Sequence, residues 1–176
     1  ELLLRGESLV ESISIGRKIA AETQRLFIHP YDDEEVMAGQ GTIGLEITED
    51  LPDVDYIFVP VGGGGLIAGI AAAAKAIRPA VHVAGVQSSA CPSALEALRA
   101  GRPVDVEADE RGALADAIMV TRVGEFAFPI LQRLVDEIAL VDEDQIASAM
   151  LLLIERKRVL AEGAGAAPLA ALLAGS

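Results

Sequence analysis

The spacing of apolar positions switches between short runs and helical periods along the chain, and these switches predict its elements. Residues 2–4, Leu-Leu-Leu, read as a short strand. Over 8–23 the apolar positions Val10, Ile13, Ile15, Ile19 and Ala20 recur at helical spacing. Residues 26–28 read as a second short strand, closed at His29-Pro30 because the residue before a proline is driven out of helical space. Residues 32–35 read as an acidic turn, and Gly39-Gln40-Gly41-Thr42 as the opening of a helix that runs to about Thr48. Thr42 is a candidate N-cap there, with Glu46 one residue late for a capping box. An apolar strand over 56–61 then meets four consecutive glycines, followed by an Ala-rich helix over 66–77 that Pro79 closes. A strand over 81–87, a helix over 91–100 ended by Gly101 and a polar, acidic loop over 102–112 come next. A helix over 125–135, a strand over 137–141, a long amphipathic helix over 143–160 and a last helix over 168–174 complete the order. Apolar strands alternating with helices predict an α/β fold with a doubly wound, mostly parallel sheet.

Composition narrows this picture. With 176 residues, 52% of them apolar, the chain can bury a core of one domain, or of one domain plus a piece of another, and disorder is excluded. Aromatics are 3% and Trp is absent, so the core must be Ala, Val, Leu and Ile, which suits parallel strands covered by helices. A net charge of −13 argues against nucleic acid as a partner. No uninterrupted apolar run is long enough for a membrane span, and no basic leader precedes one. A single cysteine, Cys91, excludes an internal disulfide and fits a reducing cytoplasm; it reads as a small core or helix-start residue. The chain begins at Glu1 without an initiator Met and ends on Gly175-Ser176, which reads as a piece of a longer protein. An incomplete sheet would expose apolar edges, so a homo-oligomer is expected.

The most specific chemistry lies at Gly62-Gly63-Gly64-Gly65. Glycines let the backbone take positive φ and approach a ligand closely, and the helix that follows offers free N–H groups to an anion. A Walker A loop is excluded, because Leu66-Ile67 stands where Lys-Ser/Thr is required. Gly63, Gly65 and Ala68 fit a dinucleotide loop, but that fold wants an acidic residue at the end of the next strand, where this chain has Gln87. A phosphate cup without a dinucleotide fits better, with a merely structural tight turn as the alternative. His29 has no ligand partner at metal spacing and reads as a turn residue; His82 alternates within a strand and reads as structural.

The motifs around the glycines carry a resemblance. VPVGGGGLIAGIA, preceded by IHPYDDEEVMAGQGTIGLEI and followed in register by HVAGVQ, ALADAIMV and VDEDQIASAMLLLIERKRVLAEGAGAAPLAAL, is similar to the pyridoxal-phosphate threonine dehydratases and serine racemases. That family has the tryptophan-synthase-β-like fold, fold-type II of the pyridoxal-phosphate enzymes, and the resemblance covers nearly the whole chain. The GVQ form with Gln87 looks more like the catabolic, single-domain threonine dehydratases than the racemases. The resemblance implies pyridoxal phosphate as cofactor, its phosphate held by the backbone of Gly62, Gly63, Gly64, Gly65 and Leu66. It implies that Glu162 lies near the cofactor ring, against the alternative of a solvated carboxylate at a helix end. It also implies that Asp116 lies near the active site, although Ala117 replaces the glycine usual after it. Gly39, Gln40, Gly41 and Thr42 match a segment close to the cleft, or serve only as a helix cap. Some members hold a divalent cation with a glutamate at the position of Gln87 and an aspartate near Ser93. An amide and a hydroxyl are poor substitutes, so no metal site is expected.

Pyridoxal-phosphate chemistry needs a lysine to bind the cofactor covalently and to move the α-proton. Lys18, Lys75 and Lys157 are the lysines here, each on a helix pattern, and none lies in the family's Ser-x-Lys-x-Arg-Gly segment. The family's Ser-Gly-Gly-Asn-like stretch is missing as well. The resemblance therefore implies residues 1–38 as the latter part of a small, substrate-side domain and 39–176 as the second half of the large cofactor-binding domain. The parent would be a threonine (serine) ammonia-lyase acting on a small amino acid and releasing 2-oxobutanoate and ammonia, a place in amino-acid metabolism such as isoleucine biosynthesis. The chain alone would be inactive. The alternatives are a stand-alone α/β module that holds a phosphorylated ligand without catalysis, and a serine racemase or other fold-type II enzyme.

Overall fold

The computed structural model describes residues 2–109 and 113–175, in two compact units, Glu1–Pro30 and Tyr31–Ser176. The smaller unit is one helix with flanking extended chain. Helix α1, Leu9–Thr23, starts at Ser8, whose hydroxyl accepts from the Glu11 N–H, and stops at Gln24 in the left-handed region. Gly16 leaves the space that the Phe27 ring fills, and His29 is buried with its ring 6.1 Å from that of Phe27. The two strands expected at 2–4 and 26–28 do not form. A strand needs a ladder of bonds to a neighbour. Leu2, Leu4, Leu26 and Ile28 instead stand exposed.

In the larger unit, helix α2, Glu34–Asp50, starts five residues before the expected opening at Gly39. The supposed acidic turn is its first turn: the Asp33 carboxylate accepts from Glu35 and Val36 N–H, and Glu34 and Glu35 sit at the positive end of the dipole. Thr42 is therefore interior, its hydroxyl donating to the Gly39 carbonyl, and caps nothing. Strand β1, Tyr56–Pro60, leads through the glycines to α3, Gly65–Ile77; β2, His82–Ser88, leads to α4, Ser93–Ala100. After loop residues 102–109 (the rest of that loop, 110–112, lies outside the described residues) comes a short 3-10 turn at Asp116–Ile118. Helix α5, Ala127–Leu134, strand β3, Glu137–Val141, and helix α6, Glu143–Leu152, follow. The long helix expected over 143–160 breaks: its last turn widens to a π turn at Leu153–Lys157, and Arg158 ends it in the left-handed region. Helix α7, Gly163–Ala174, starts five residues before the expected position and carries Pro168 inside.

The three strands form one parallel sheet in the order β1-β2-β3, with Tyr56 opposite His82 and Gln87 opposite Leu140. Side chains alternate across it. Ile57, Val59, Val61 and Val83 pack with Ile67 and Ile70 of α3 and with Phe128 and Leu131 of α5. Val86 and Val141 pack with Ile146 of α6 and the alanines of α7, with Phe58 against that second cluster. Helices thus cover both faces, and the chain has the doubly wound α/β architecture its pattern predicts. Helix α2 lies against α3 through small residues. A Cβ on Gly44 would come within 2.7 Å of the Ile70 carbonyl, and one on Gly69 would strike the Met37 carbonyl.

Candidate functional site

At the end of β1 the backbone turns on Gly64, the N-cap of α3, in the left-handed region at φ +96°. No side chain caps this helix. The first N–H groups of a helix have no partner within it, so those at the start of α3 are left for an acceptor from outside. The other glycines are required by close packing. A Cβ on Gly62 would press on Ile118 and Val120; one on Gly63 would lie inside the Tyr31 ring; one on Gly65 would strike the Tyr31 carbonyl. The Gly63 carbonyl accepts from the Gly124 N–H at 2.9 Å. The glycines are thus explained by the protein around them, and the uncapped donors are what remains for a ligand.

Several segments converge on this loop. Asp32 accepts from the N–H groups of Glu125 (3.0 Å), Phe126 (2.9 Å) and Ala127 (3.4 Å) and so closes the start of α5. The turn that carries Asp116 packs on Gly62 through Ile118 and the Ala117 carbonyl, 3.2 and 3.6 Å from where a Gly62 Cβ would lie. Asp116 itself is exposed. Gly163 is just as tightly placed against the Leu114 carbonyl, so the start of α7 adjoins the same segment. Glu162 caps α7, accepting from the Gly165 N–H at 3.0 Å, and is exposed. The Glu143 carboxylate ties this group to β2: it accepts from the Leu114 N–H at 2.6 Å and from the Ser88 hydroxyl at 3.2 Å. All of this lies at the carboxyl ends of the parallel strands, where open α/β sheets hold their ligands.

At the next strand end, Gln87 is fully buried and fully engaged. Its Oε1 accepts from the N–H groups of Ala94 (2.9 Å) and Leu95 (3.1 Å). Its Nε2 donates to the Val61 carbonyl (3.2 Å) and to Ser93 Oγ (3.3 Å), and that hydroxyl donates to the Val120 carbonyl (2.7 Å). Gln87 is thus the side-chain cap of α4. Cys91, whose N–H donates to the Ser88 carbonyl at 3.0 Å, is buried as well.

Gly39, Gln40, Gly41 and Thr42 lie in the body of α2 and open no helix; Gln40 and Gly41 meet Gly69 of α3, while Gly39 faces open space. Lys75 stands at the other end of α3, ten residues and about 15 Å of helix from Gly65. Its amine is held by both oxygens of Asp136, at 2.7 and 2.8 Å. Burial alone would raise the Asp136 carboxyl; the bonds from Lys75 and the Val83 N–H, with the charges of Lys75 and His82, outweigh it and hold the group below its ordinary value. His82 also meets Glu137 at 3.1 Å, in keeping with a structural role. Lys157 is exposed beyond α6, and Lys18 is exposed in the smaller unit. Sequence reasoning missed Tyr31 and Asp32. The available signal was Asp32-Asp33 ahead of Glu34-Glu35, a helix-start pattern.

A family model described as pyridoxal-phosphate dependent enzyme matches residues 1–176. The chain is 50% identical over 173 residues to an L-threonine ammonia-lyase of Geobacter sulfurreducens, covering 98% of this chain and 42% of that protein. It is 47% identical over 175 residues to the L-threonine dehydratase catabolic TdcB of Escherichia coli, covering 99% and 53%. The crystal structure of a T.th. threonine deaminase superposes with a TM-score of 0.90 at 40% identity, over 99% of this chain and 57% of that one. A maize serine racemase superposes with a TM-score of 0.92 at 31% identity, over 98% and 52%. The chain spans about half the length of the relatives it matches.

Proposed function

The chain belongs to the pyridoxal-phosphate-dependent enzyme family, whose cofactor is pyridoxal phosphate, and on that premise we propose that it is the phosphate-holding half of a threonine (serine) ammonia-lyase. The observation that carries this reading is the α3 start: glycines before it, no side chain capping it, and Gly64 turned to positive φ. Backbone N–H donors at a helix N-terminus fit a phosphate in charge and geometry. The residues that would hold it are Gly62, Gly63, Gly64, Gly65 and Leu66. Bound there, pyridoxal phosphate supplies the electron sink that lets an amino acid lose its α-proton. Asp116 stands on the turn that packs on Gly62, and Glu162 at the start of α7 beside Leu114 and Ala115, just before that turn; we place both near the cofactor ring.

In this reading residues 1–38 belong to a substrate-side domain and 39–176 to the cofactor-binding domain. The lysine that joins the cofactor comes from the other half of the protein, because Lys75 is held by Asp136 at the far end of α3. The chain alone is then inactive. The word catabolic in a relative's name favours breakdown of threonine over isoleucine biosynthesis. Among the described residues no helix is long and apolar enough to cross a membrane, and we place the protein in the reducing cytoplasm on its single Cys91. Exposed Leu151, Leu160, Leu172 and Leu173 support a homo-oligomer, which sedimentation of the full-length protein tests.

The deciding experiment gives the full-length protein L-threonine and L-serine in turn, following 2-oxo acid and D-serine. Release of 2-oxobutanoate from threonine is expected. Racemisation of serine without elimination would instead favour the racemase, which the superposition on serine racemase keeps as the second reading. Saturable cofactor uptake by the isolated chain without turnover would favour a binding module.

A further inference from the structure

Three neighbours in sequence, Tyr31, Asp32 and Asp33, serve three different elements. Asp33 caps α2, with bonds to the Glu35 and Val36 N–H groups. Asp32 turns to α5, whose own N-cap residue, Phe126, supplies no side-chain bond. Its carboxylate collects three N–H groups there, and it also fills the space a Cβ on Gly124 would need. Tyr31 covers Gly63 with its ring and Gly65 with its carbonyl.

The link to the cup is one hydrogen bond. Gly124, gripped by Asp32, donates to the Gly63 carbonyl at 2.9 Å. That carbonyl and the Gly64 N–H belong to one rigid, planar peptide unit and point in opposite directions. Anchoring the carbonyl therefore aims the N–H. Without a Cβ the glycines cannot set this direction themselves.

We propose that Asp32 is a positioning residue for the anion cup: by closing the start of α5 it holds Gly124 on the Gly63 carbonyl and so fixes the direction in which the Gly64 N–H points. The inference rests on the reading of the cup as the cofactor's phosphate site. Asp32 acts through geometry rather than charge, since a free carboxylate beside a phosphate would repel it.

Full-length protein stripped of cofactor is titrated with pyridoxal phosphate, read by the cofactor's absorbance, alongside thermal melts. Asp32→Asn keeps one acceptor oxygen of the same reach, for the Phe126 and Ala127 N–H groups, gives up the one that serves Glu125, and is expected to bind within about 3-fold of the unsubstituted protein. Asp32→Glu keeps the charge but displaces the acceptor by one methylene, and Asp32→Ala removes it; each is expected to weaken binding about 10-fold. Asp33→Ala loses a comparable cap that serves α2, and is expected to lower the melting temperature while leaving the affinity in place. The proposal is overturned if the Glu and Ala variants bind as the unsubstituted protein does. A loss in the Asn variant as large as in the Ala variant, although one acceptor oxygen remains, would show that charge matters, and an equal loss in Asp33→Ala would show general destabilisation; either overturns it. No uptake by the unsubstituted protein would instead remove the phosphate-site reading itself.

Discussion

β1 and β2 lie side by side, run parallel and each pass into a helix at the same edge of the sheet, but the two helices begin in opposite ways. α3 begins on glycines, and no side chain caps it. α4 begins under Gln87, whose amide oxygen takes the N–H groups of Ala94 and Leu95 while its amide nitrogen ties the cap to Val61 and Ser93. The third strand shows the ordinary solution: Asp142 and Gln145 form a reciprocal capping box at the start of α6. Position at the strand ends is common to all three junctions. Only the first leaves its helix N-terminus without a side-chain acceptor, and that sets the proposed anion cup apart from an ordinary helix start.

The comparison breaks most directly at Gly64. Gly64→Ala puts a Cβ on a backbone at φ +96° and against Ala127 and Val123, so the turn that presents the N–H donors must shift, and a loss of about 3 kcal/mol of pyridoxal phosphate affinity, roughly a hundred-fold, is expected in cofactor titration of the full-length protein. Affinity within ten-fold of the original would mean that the cup does not lie there. Uncapping α4 by Gln87→Ala strands two N–H groups and a carbonyl in a buried place, while the Ser93 hydroxyl keeps its bond to the Val120 carbonyl. A loss of about 3 kcal/mol of stability is expected from this. The melting temperature should then fall by about 10 °C. At the third junction Asp142→Ala is expected to cost about 1 kcal/mol in a denaturant titration, the ordinary worth of an exposed cap. The smallest effect lies at the opposite edge of the sheet, where Asp136 holds Lys75. Its folded-state pKa is lowered, so its contribution is present above the ordinary carboxylate pKa and fades as pH falls below about 4. Asp136→Asn should flatten that part of the stability profile by less than about 1 kcal/mol. An unchanged profile between pH 3 and 5 would count against the Lys75–Asp136 bond.

What could be read from the chain was local. The strand, the glycines and the helix after them are contiguous, so β1, the loop and α3 fall within a residue of their expected ends. Glu137–Val141 forms as read. The errors come from partners distant in sequence. Residues 2–4 and 26–28 have strand composition but no ladder within this chain. The helical pattern over 143–160 does not show that the backbone leaves the helix at Arg158. Gln87 was legible only as the lack of an acidic residue, because its role as a cap depends on Val61, 26 residues away. Tyr31 and Asp32 reach further still, to Gly63 and to the start of α5. Asp33 was within reach: an aspartate before two glutamates and an apolar period marks a helix start, and reading Gly39 as the opening concealed it.

The seam between α2 and α3 has a thermodynamic consequence. Gly41, Gly44, Gly69 and Ala73 meet there, and no side chain at those positions has a rotamer to choose. Ordering such a seam forfeits no side-chain entropy. Much of α3 is alanine and glycine, so the rod behind the cup has few internal settings to sample. An anion bound at Gly64, as proposed, would meet donors already still, and the freedom lost on binding would be chiefly its own.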